Sequence, residues 1–249
     1  MPFIQYPFVL GHEAVGQGNT LIDADYSQIE LRILAGLSRD ENMIKAFEDG
    51  ADIHAITASQ IMGVKPEQVT KEMRSNAKAV NFGIVYGIGA FSLAKDTGIT
   101  KEQASRYIEN YFRQYPKVKD FMEKTVEQAE KYGFVSTLFN RRRYIHEIRS
   151  SNQKIKAEGK RMAMNAPIQG TSADIIKIAM VKIYRRLKAE NLKAFLILQV
   201  HDEIIAEAEK NIAERVAEII EEEMEKAVDF GVKLTAEAGT GESWYNAKG

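Results

Sequence analysis

Residues 70–87 read TKEMRSNAKAVNFGIVYG and carry the most informative pattern of the chain. Two cations and two aromatic residues follow one another in steps of four: Arg74, Lys78, Phe82 and Tyr86. On an α-helix these residues share one face over about 18 Å. Cations near a helix N-terminus favour phosphate, and rings further along can stack on a base. The pattern therefore predicts a helix that binds a nucleotide.

A plainer interpretation of this segment is also open. A Lys/Arg pair four residues apart is common on a solvated helix face, and a Phe/Tyr pair at that spacing is common in a core. Gly83 and Gly87 argue against it, because each glycine costs roughly 1 kcal/mol in a helix interior relative to alanine. We therefore favour the nucleotide-binding interpretation.

An acidic position follows a short predicted strand near the start of the chain. Residues 21–26 read LIDADY and predict a strand whose end carries Asp25. Ser27, with Glu30 three residues later, predicts a capping box that opens a helix over 28–37. Asp25 is thus expected where a strand ends.

A second acidic position lies 177 residues after the first. Strand-like runs at 194–200 and 204–208 predict a hairpin with Asp202 and Glu203 near its tip. Paired carboxylates at strand ends suit Mg²⁺, which takes its remaining oxygens from water and substrate phosphates. Two such ions, about 3.5–4 Å apart, can clamp both oxygens of a phosphoryl transfer. The sequence predicts such a site if folding joins the two strand ends.

Several motifs together resemble a known family. They are DYSQIELR at 25–32, RxxxKxxxFxxxYG at 74–87, VHDE at 200–203 and NAPIQGTSADII at 165–176. In order and internal spacing these resemble family A DNA polymerases, the bacterial DNA polymerase I type, over roughly residues 20 to 249. The resemblance implies an α+β fold with an antiparallel palm sheet, packed helices and an inserted, mostly helical fingers subdomain. It also implies template-directed addition of deoxynucleoside triphosphates to a primer 3′ end, with primer-template DNA as partner.

The resemblance further implies roles for individual residues. Two Mg²⁺ ions, with Mn²⁺ as a substitute, would be held by Asp25, Asp202 and the carbonyl of Tyr26, beside Glu203 in a lesser catalytic role. Arg74 and Lys78 would hold the triphosphate, and Lys78 would also neutralise charge in the transition state. Phe82 would stack on the incoming nucleotide. A phenylalanine there implies poor acceptance of dideoxynucleotides.

The remaining implied contacts surround the nucleotide and the primer end. Tyr86 and Glu30 would form a sugar gate that excludes a ribose 2′ hydroxyl. His54 would approach the triphosphate, and Gln28 would lie beside the same pocket. Arg161, Asn165 and Gln169 would read the minor groove, and His201 would touch the primer terminus.

Charge is distributed unevenly along the chain. The formal net charge is −1, yet residues 141–161 carry a net +6 and residues 207–226 a net −5. The basic band predicts binding to phosphates that weakens as salt rises, although a solvated helix face would look the same. The chain has no cysteine and no apolar run long enough to span a membrane, and its opening residues lack the basic segment of a secretory signal. We expect a cytoplasmic monomer.

Periodicity and breakers predict a mixed α+β organisation. Helices are predicted at 28–37, 40–49, 52–61, 70–86, 100–115, 117–131, 152–188 and 210–229, and strands near 21–25, 134–138, 194–200, 204–208 and 233–237. A capping box at Thr100 and Gln103, Pro116 between two helices and Gly133 after the second set these boundaries. In family terms, we expect palm at 21–39, fingers at 40–150 and palm again at 151–249.

Residues 1–20 do not look like the thumb or the arginine-bearing palm segment that family members carry before the Asp25 motif. The chain resembles an excised or engineered palm-and-fingers fragment, so we expect low processivity and strongly salt-dependent primer binding. Two alternatives stay open: an inactive core that only binds DNA or nucleotide, and a metal-dependent nuclease. The nuclease interpretation leaves the pattern at 74–86 unexplained.

Overall fold

The computed structural model describes Gly16 and residues 18–248. The strands are β1 (Asn19–Tyr26), β2 (Phe134–Ser136), β3 (Arg142–Tyr144), β4 (Ala194–Val200), β5 (Glu203–Glu209) and β6 (Ala236–Gly241). The α-helices are α1 (Ile29–Ser38), α2 (Glu41–Glu48), α3 (Ile53–Met62), α4 (Lys71–Val85), α5 (Ala90–Thr97), α6 (Lys101–Gln114), α7 (Pro116–Tyr132), α8 (Gln153–Ala189), α9 (Ala213–Glu225) and α10 (Trp244–Ala247). The predicted α+β class is confirmed.

The chain folds as two compact units. The first contains the described residues up to Ser27, Ile175–Asp229 and the described residues from Leu234 onward. The second contains Gln28–Asp174 and Phe230–Lys233, so the division falls inside α8. None of the helices in the described part of the chain is long and apolar enough to cross a membrane. The palm and fingers boundaries stay a prediction.

An antiparallel sheet in the order β4-β5-β1-β6 forms the centre of the first unit. Successive residues of a strand point to opposite faces of a sheet. On one face of β1, Ile22 and Ala24 are fully buried and the Tyr26 hydroxyl donates to the Met224 carbonyl of α9. Since Asp23 and Asp25 alternate with these residues, they lie on the opposite face.

The second unit is mostly helical. Thr100 and Gln103 form the predicted capping box, and Pro116 is the first residue of α7. Gly133 ends α7 with a left-handed φ of 79°, after which β2 and β3 form a two-stranded hairpin. Val135 and Ile145 pack beneath this hairpin in a buried apolar cluster.

Several boundaries differ from the predictions. α1 begins at Ile29, one residue late, and Gln28 is its cap with a left-handed φ of 55°. β6 lies at 236–241 instead of 233–237, because its sequence AEAGTG has little strand propensity and β1 supplies the pairing. The helix predicted at 210–229 is α9, with a 3₁₀ turn before it.

Three elements were not predicted: α5, β3 and α10. α5 buries a single residue, Leu93, so its sequence carries almost no helical periodicity of apolar residues. β3 is fully exposed and therefore lacks the alternation of a half-buried strand. Most of the non-matching opening segment 1–20, namely residues 1–15 and residue 17, lies outside the described residues.

Candidate active site

The first unit brings the predicted carboxylates together. Asp25, at the end of β1, pairs in register with Glu203, the first residue of β5. Asp202 occupies the two-residue turn between β4 and β5, and its carbonyl accepts a hydrogen bond from Tyr26 N at 3.3 Å. The predicted hairpin and the meeting of the two strand ends are therefore both present.

Charge and burial at this position suit a divalent cation. Burial raises the pKa of Asp25 to about 6, and the neighbouring charges of Asp202 and Glu203 contribute to that rise. Burial also raises the pKa of Asp202. Asp25 Oδ1 is buried without a hydrogen-bond partner in the described part of the chain. Oxygen donors with excess negative charge and unused lone pairs are the ligands that Mg²⁺ prefers.

Two further residues, which the sequence did not reveal, complete this group. Asp23 lies on the same sheet face, and burial, followed by the charge of Glu203, raises its pKa. Lys248, immediately after α10, forms an ion pair with Glu203. We call Asp23, Asp25, Asp202 and Glu203 the carboxylate cluster. Among residues 18–248, no group of three or more His, Cys, Asp or Glu side chains is arranged to hold a metal ion. An ion bound at the carboxylate cluster would therefore take much of its coordination from water or substrate oxygens.

The second unit contains the predicted cationic-aromatic stripe, namely Arg74, Lys78, Phe82 and Tyr86. The first three lie on α4, and Tyr86 is its C-terminal cap residue. The Thr70 hydroxyl caps the start of the helix by accepting from Met73 N. Both cations are exposed, and the Lys78 ammonium lies 5.9 Å from the centroid of the Phe82 ring. The stripe therefore forms as the spacing predicted.

Arg74 is held by a residue that also caps a helix. Arg74 Nε donates to Asp52 Oδ2 at 2.5 Å. The other oxygen of Asp52 accepts from the backbone N–H groups of His54 and Ala55, at the start of α3. Because these two N–H groups and Arg74 all favour the ionised carboxyl, they lower the pKa of Asp52 despite its partial burial. The guanidinium keeps its other N–H groups for a ligand.

His54 is buried beneath the stripe. Its side chain is 3% exposed, its ring lies 5.8 Å from that of Phe82, and its Nδ1 is 2.8 Å from Asn81 Nδ2. As oriented, the Asn81 amide donates to Nδ1, which leaves Nε2 as the protonated nitrogen. Burial lowers the pKa of His54 to about 4, and the charges of Arg74 and Lys78 act in the same direction. The imidazole is therefore neutral at pH 7.

The far end of the stripe joins Tyr86 to Glu30. The Tyr86 hydroxyl donates to Glu30 Oε2 at 3.0 Å, which brings together the two residues of the predicted sugar gate. Directly after Tyr86, Gly87 has a left-handed φ of 65°. A Cβ built there would lie 3.2 Å from Arg161 Cγ and would also collide with Met164. The missing side chain lets Arg161 approach the end of the stripe.

The two glycines at the end of α4 have a structural purpose that their helix propensities alone do not reveal. Gly87 N donates to the Ile84 carbonyl, and Ile88 N donates to the Gly83 carbonyl. This pair of bonds is a Schellman motif, which commonly ends helices at a left-handed glycine. A Cβ at Gly83 would meet the Ile88 side chain. The glycines therefore do not themselves argue for a nucleotide site, and that step of the interpretation is wrong.

The other predicted site residues occupy varied surroundings. On α8, Arg161, Asn165 and Gln169 recur every four residues; the first and last are exposed, and Asn165 Oδ1 is buried without a hydrogen-bond partner within residues 18–248. Gln28 Oε1 is likewise buried without a hydrogen-bond partner among these residues. His201 is exposed in the β4–β5 turn, with a left-handed φ of 52°. The roles given to these side chains stay predictions.

Comparison with known proteins now decides the family. The sequence model described as DNA polymerase family A matches residues 12–246. This chain belongs to DNA polymerase family A. The match reaches further toward the N-terminus than the region from residue 20 that the motifs indicated.

Individual relatives of this family A chain agree with that assignment. It is 53% identical to a DNA polymerase I of Caldicellulosiruptor bescii and 48% identical to a thermostable DNA polymerase I of Thermus thermophilus, each over 93% of this chain. It shares a TM-score of 0.90 and 40% identity with the POL domain of Pol1 from M. smegmatis, solved with DNA primer-template and dNTP, over 95% of this chain and 42% of that one. The chain spans 27% and 28% of the length of the first two relatives.

Proposed function

We propose that this chain is the template-directed DNA polymerase core of its family, transferring deoxynucleotides from their triphosphates to a primer 3′ end. One observation carries the proposal. Folding brings Asp25 and Asp202, 177 residues apart, to adjoining strand ends with a raised pKa on each and an unused buried oxygen on Asp25. Carboxylates whose pKa is raised by burial and by neighbouring charges are candidates for functional sites. The palm and fingers boundaries at residues 39 and 150 belong to the proposal.

The carboxylate cluster would hold the metal. Asp25, Asp202 and the Tyr26 carbonyl would bind two Mg²⁺ ions, or Mn²⁺ as a substitute, which would stabilise charge on the attacking and leaving oxygens of the phosphoryl transfer. Like charges that face one another across paired strands repel. The ions would also offset this repulsion among the carboxylates. Glu203 takes a lesser role, since Lys248 already neutralises it.

The stripe would hold the nucleotide. Arg74 is oriented by Asp52, so its remaining N–H groups and the Lys78 ammonium can bind the triphosphate and neutralise its growing charge. Phe82 would stack on the base, and neutral His54 beneath it would support the ring. The Tyr86–Glu30 hydrogen bond would close the space that a ribose 2′ hydroxyl needs. Gln28 completes this nucleotide pocket.

The remaining predicted residues would contact DNA. Arg161, Asn165 and Gln169 present donors at helical spacing, which can sense minor-groove acceptors that are common to the base pairs. His201 would touch the primer terminus. For the 249-residue chain itself we propose a monomer. We also propose low processivity and salt-sensitive primer binding, because these 249 residues correspond to only about a quarter of the length of the relatives and so make fewer contacts with a duplex.

Primer extension on a primed template, with each deoxynucleotide and Mg²⁺, tests the proposal. The wild-type chain should extend the primer, Asp202→Ala should not, and the control Asp120→Asn on the exposed surface of α7 should extend it normally. Product absent from all three proteins, with DNA still bound, would favour the binding-only alternative. Primers shortened without any nucleotide would favour the nuclease.

A further inference from the structure

The β2–β3 hairpin presents a row of aromatic rings that the proposed catalytic roles do not use. The rings follow one another in space as Tyr132, Phe134, Tyr144 and His146, with successive centroids 6.2, 5.7 and 6.5 Å apart. We call these four residues the ring ladder. Tyr132 is 54% exposed and Tyr144 58%, and the Tyr144 and His146 rings are within 14° of parallel.

The hairpin is built so that these rings stay outside the core. Phe134 and Tyr144 are a cross-strand pair on one face. Their neighbours Val135 and Ile145 point the other way and are at most 1% exposed, in the apolar cluster beneath the hairpin. Aromatic cross-strand pairs often stabilise a hairpin without any further purpose. Tyr132 and His146 extend the row beyond the paired strands, so cross-strand pairing does not account for them.

Cations accompany the rings. The Arg142 guanidinium lies 4.6 Å from the centroid of Phe134, and the Lys131 ammonium lies 4.9 Å from that of Tyr132. Arg149 reaches the same region, since its Nη2 would lie 3.2 Å from a Cβ at Gly133. Aromatic faces that alternate with cations match the chemistry of a nucleic-acid single strand, whose unpaired bases stack while its phosphates are neutralised.

We propose that the ring ladder is a binding site for single-stranded nucleic acid. Bases stack on Tyr132, Tyr144 and His146, and phosphates contact Lys131, Arg142 and Arg149. The site reads no sequence, because every base has an aromatic face and the described hairpin offers rings and cations to all of them alike. It requires neither a metal ion nor a triphosphate, so it is independent of the proposed polymerase activity.

Fluorescence anisotropy with labelled dT16 and rU16, in EDTA and without nucleotide, measures this binding directly. An oligonucleotide of sixteen abasic units serves as the probe for phosphate contacts alone. Wild-type protein should bind dT16 at least tenfold more tightly than the abasic probe. Tyr132→Leu/Tyr144→Leu should remove most of that preference, leaving only the share due to His146, and should leave affinity for the abasic probe within about twofold, because leucine keeps the apolar cover but has no flat ring. Arg142→Gln should instead weaken both probes and reduce the salt slope by about 0.7.

Two control variants test whether the tyrosines of the ring ladder are specifically required. Tyr184→Leu replaces an equally exposed tyrosine on α8 and should bind every probe like wild type. Tyr132→Leu alone leaves the cross-strand pair of Phe134 and Tyr144 intact and should still lose part of the preference for bases. A loss in this variant could not be explained by a collapsed hairpin. If the affinity for either dT16 or rU16 depends on the two tyrosines, the proposal is supported. Equal wild-type binding of base-bearing and abasic probes, or unchanged binding by the double variant, would overturn it. Asp202→Ala should bind dT16 like wild type even if it cannot extend a primer.

Discussion

In the first unit, Asp25 faces Glu203 across paired strands with Asp202 beside it, and Lys248 pairs with only one of the three. In the second unit, Arg74 is matched by Asp52, and His54 is buried in its neutral form. The carboxylate cluster thus keeps unbalanced negative charge, whereas in the second unit Arg74 is ion-paired with Asp52 and His54 is neutral before any ligand arrives. We therefore expect the carboxylate cluster to gain stability when a cation binds, and we expect Arg74, already oriented by Asp52, to accept an anion without rearrangement.

This difference gives the two sites opposite responses over the same pH range. Asp25 has its folded pKa raised from 3.8 to about 6, so its contribution to stability is present below pH 4 and is lost as the pH rises through 6. His54 has its folded pKa lowered from 6.5 to about 4, so its contribution is present above pH 6.5 and is lost as the pH falls toward 4. The contributions of Asp25 and His54 to stability therefore oppose one another between about pH 4 and pH 6.5.

Replacing Asp25 should give the largest effect. Asp25→Asn should lower the rate of primer extension by about 10³-fold or more, because it removes oxygen ligands on which transition-state stabilisation depends. In EDTA at pH 8 the same variant should raise the free energy of unfolding by about 2–3 kcal/mol, because it removes a destabilised negative charge. Chemical denaturation at pH 8 and pH 4 measures this gain, which should vanish at the lower pH. A variant that is less stable than wild type at pH 8 would contradict the proposed repulsion.

His54 should give a pH dependence of stability opposite in sign to that of Asp25, and replacing His54 should remove it. In an Asp25→Asn background, the free energy of unfolding should fall by about 3 kcal/mol as the pH drops from 6.5 to 4, since a buried imidazole must become charged. Adding His54→Gln should remove most of that slope, whatever it costs at pH 7. Denaturant titrations across this range measure both slopes. If the free energy of unfolding fell equally with pH in Asp25→Asn and in Asp25→Asn/His54→Gln, a group other than His54 would be responsible.

Arg74 tests whether the stripe is organised for phosphate. Arg74→Gln should raise KM for a deoxynucleoside triphosphate about tenfold or more, because a charge-assisted hydrogen bond contributes about 1.5–3 kcal/mol. Lys71→Gln, an exposed cation three residues earlier on α4, should change KM less than about twofold. Steady-state extension at varied nucleotide concentration measures both variants. Similar changes in KM for Arg74→Gln and Lys71→Gln would show that Arg74 acts only as general positive charge on the surface.

The sequence predicted the parts of both sites that depend on local patterns. Spacing placed Arg74 through Tyr86 on one helix, and strand ends brought Asp25 to Asp202. It missed Lys248, because the ion pair of Lys248 with Glu203 depends on how β6 and α10 return to the sheet. It also missed Asp23, although strand alternation places Asp23 on the same sheet face as Asp25. The resemblance also placed His54 near the triphosphate, which stays a prediction, and the burial of His54 against Asn81 follows from how α3 packs on α4. Long-range packing, which no local pattern encodes, accounts for Lys248 and for the burial of His54.

The end of the stripe should be rigid, and Gly87 tests this. Gly87→Ala should destabilise the chain by about 1–2 kcal/mol, because alanine resists a left-handed backbone. Gly98→Ala is a matched control: its φ is 72°, but no atom lies within 4 Å of the added Cβ. The cost at Gly87 should exceed that at Gly98, since only there must Met164 and Arg161 move. Thermal denaturation compares the two, and equal costs would show that Arg161 is not held against the glycine.

Lys248 gives the smallest expected effect and bears most directly on the difference between the two sites. Lys248→Met leaves Glu203, whose side chain is 10% exposed, without its cation, and should cost about 1 kcal/mol in EDTA. The control Lys193→Met breaks a pair with the more exposed Glu209 and should cost less than about 0.5 kcal/mol. Excess Mg²⁺ should reduce the cost at Lys248 but not at Lys193, because a bound cation compensates the same carboxylates. Trp244, the single tryptophan of the chain, lies 6.0 Å from the Lys248 ammonium and reports on this region by fluorescence. If Mg²⁺ left the cost at Lys248 unchanged, the unbalanced charge of the carboxylate cluster could not be what a metal ion neutralises.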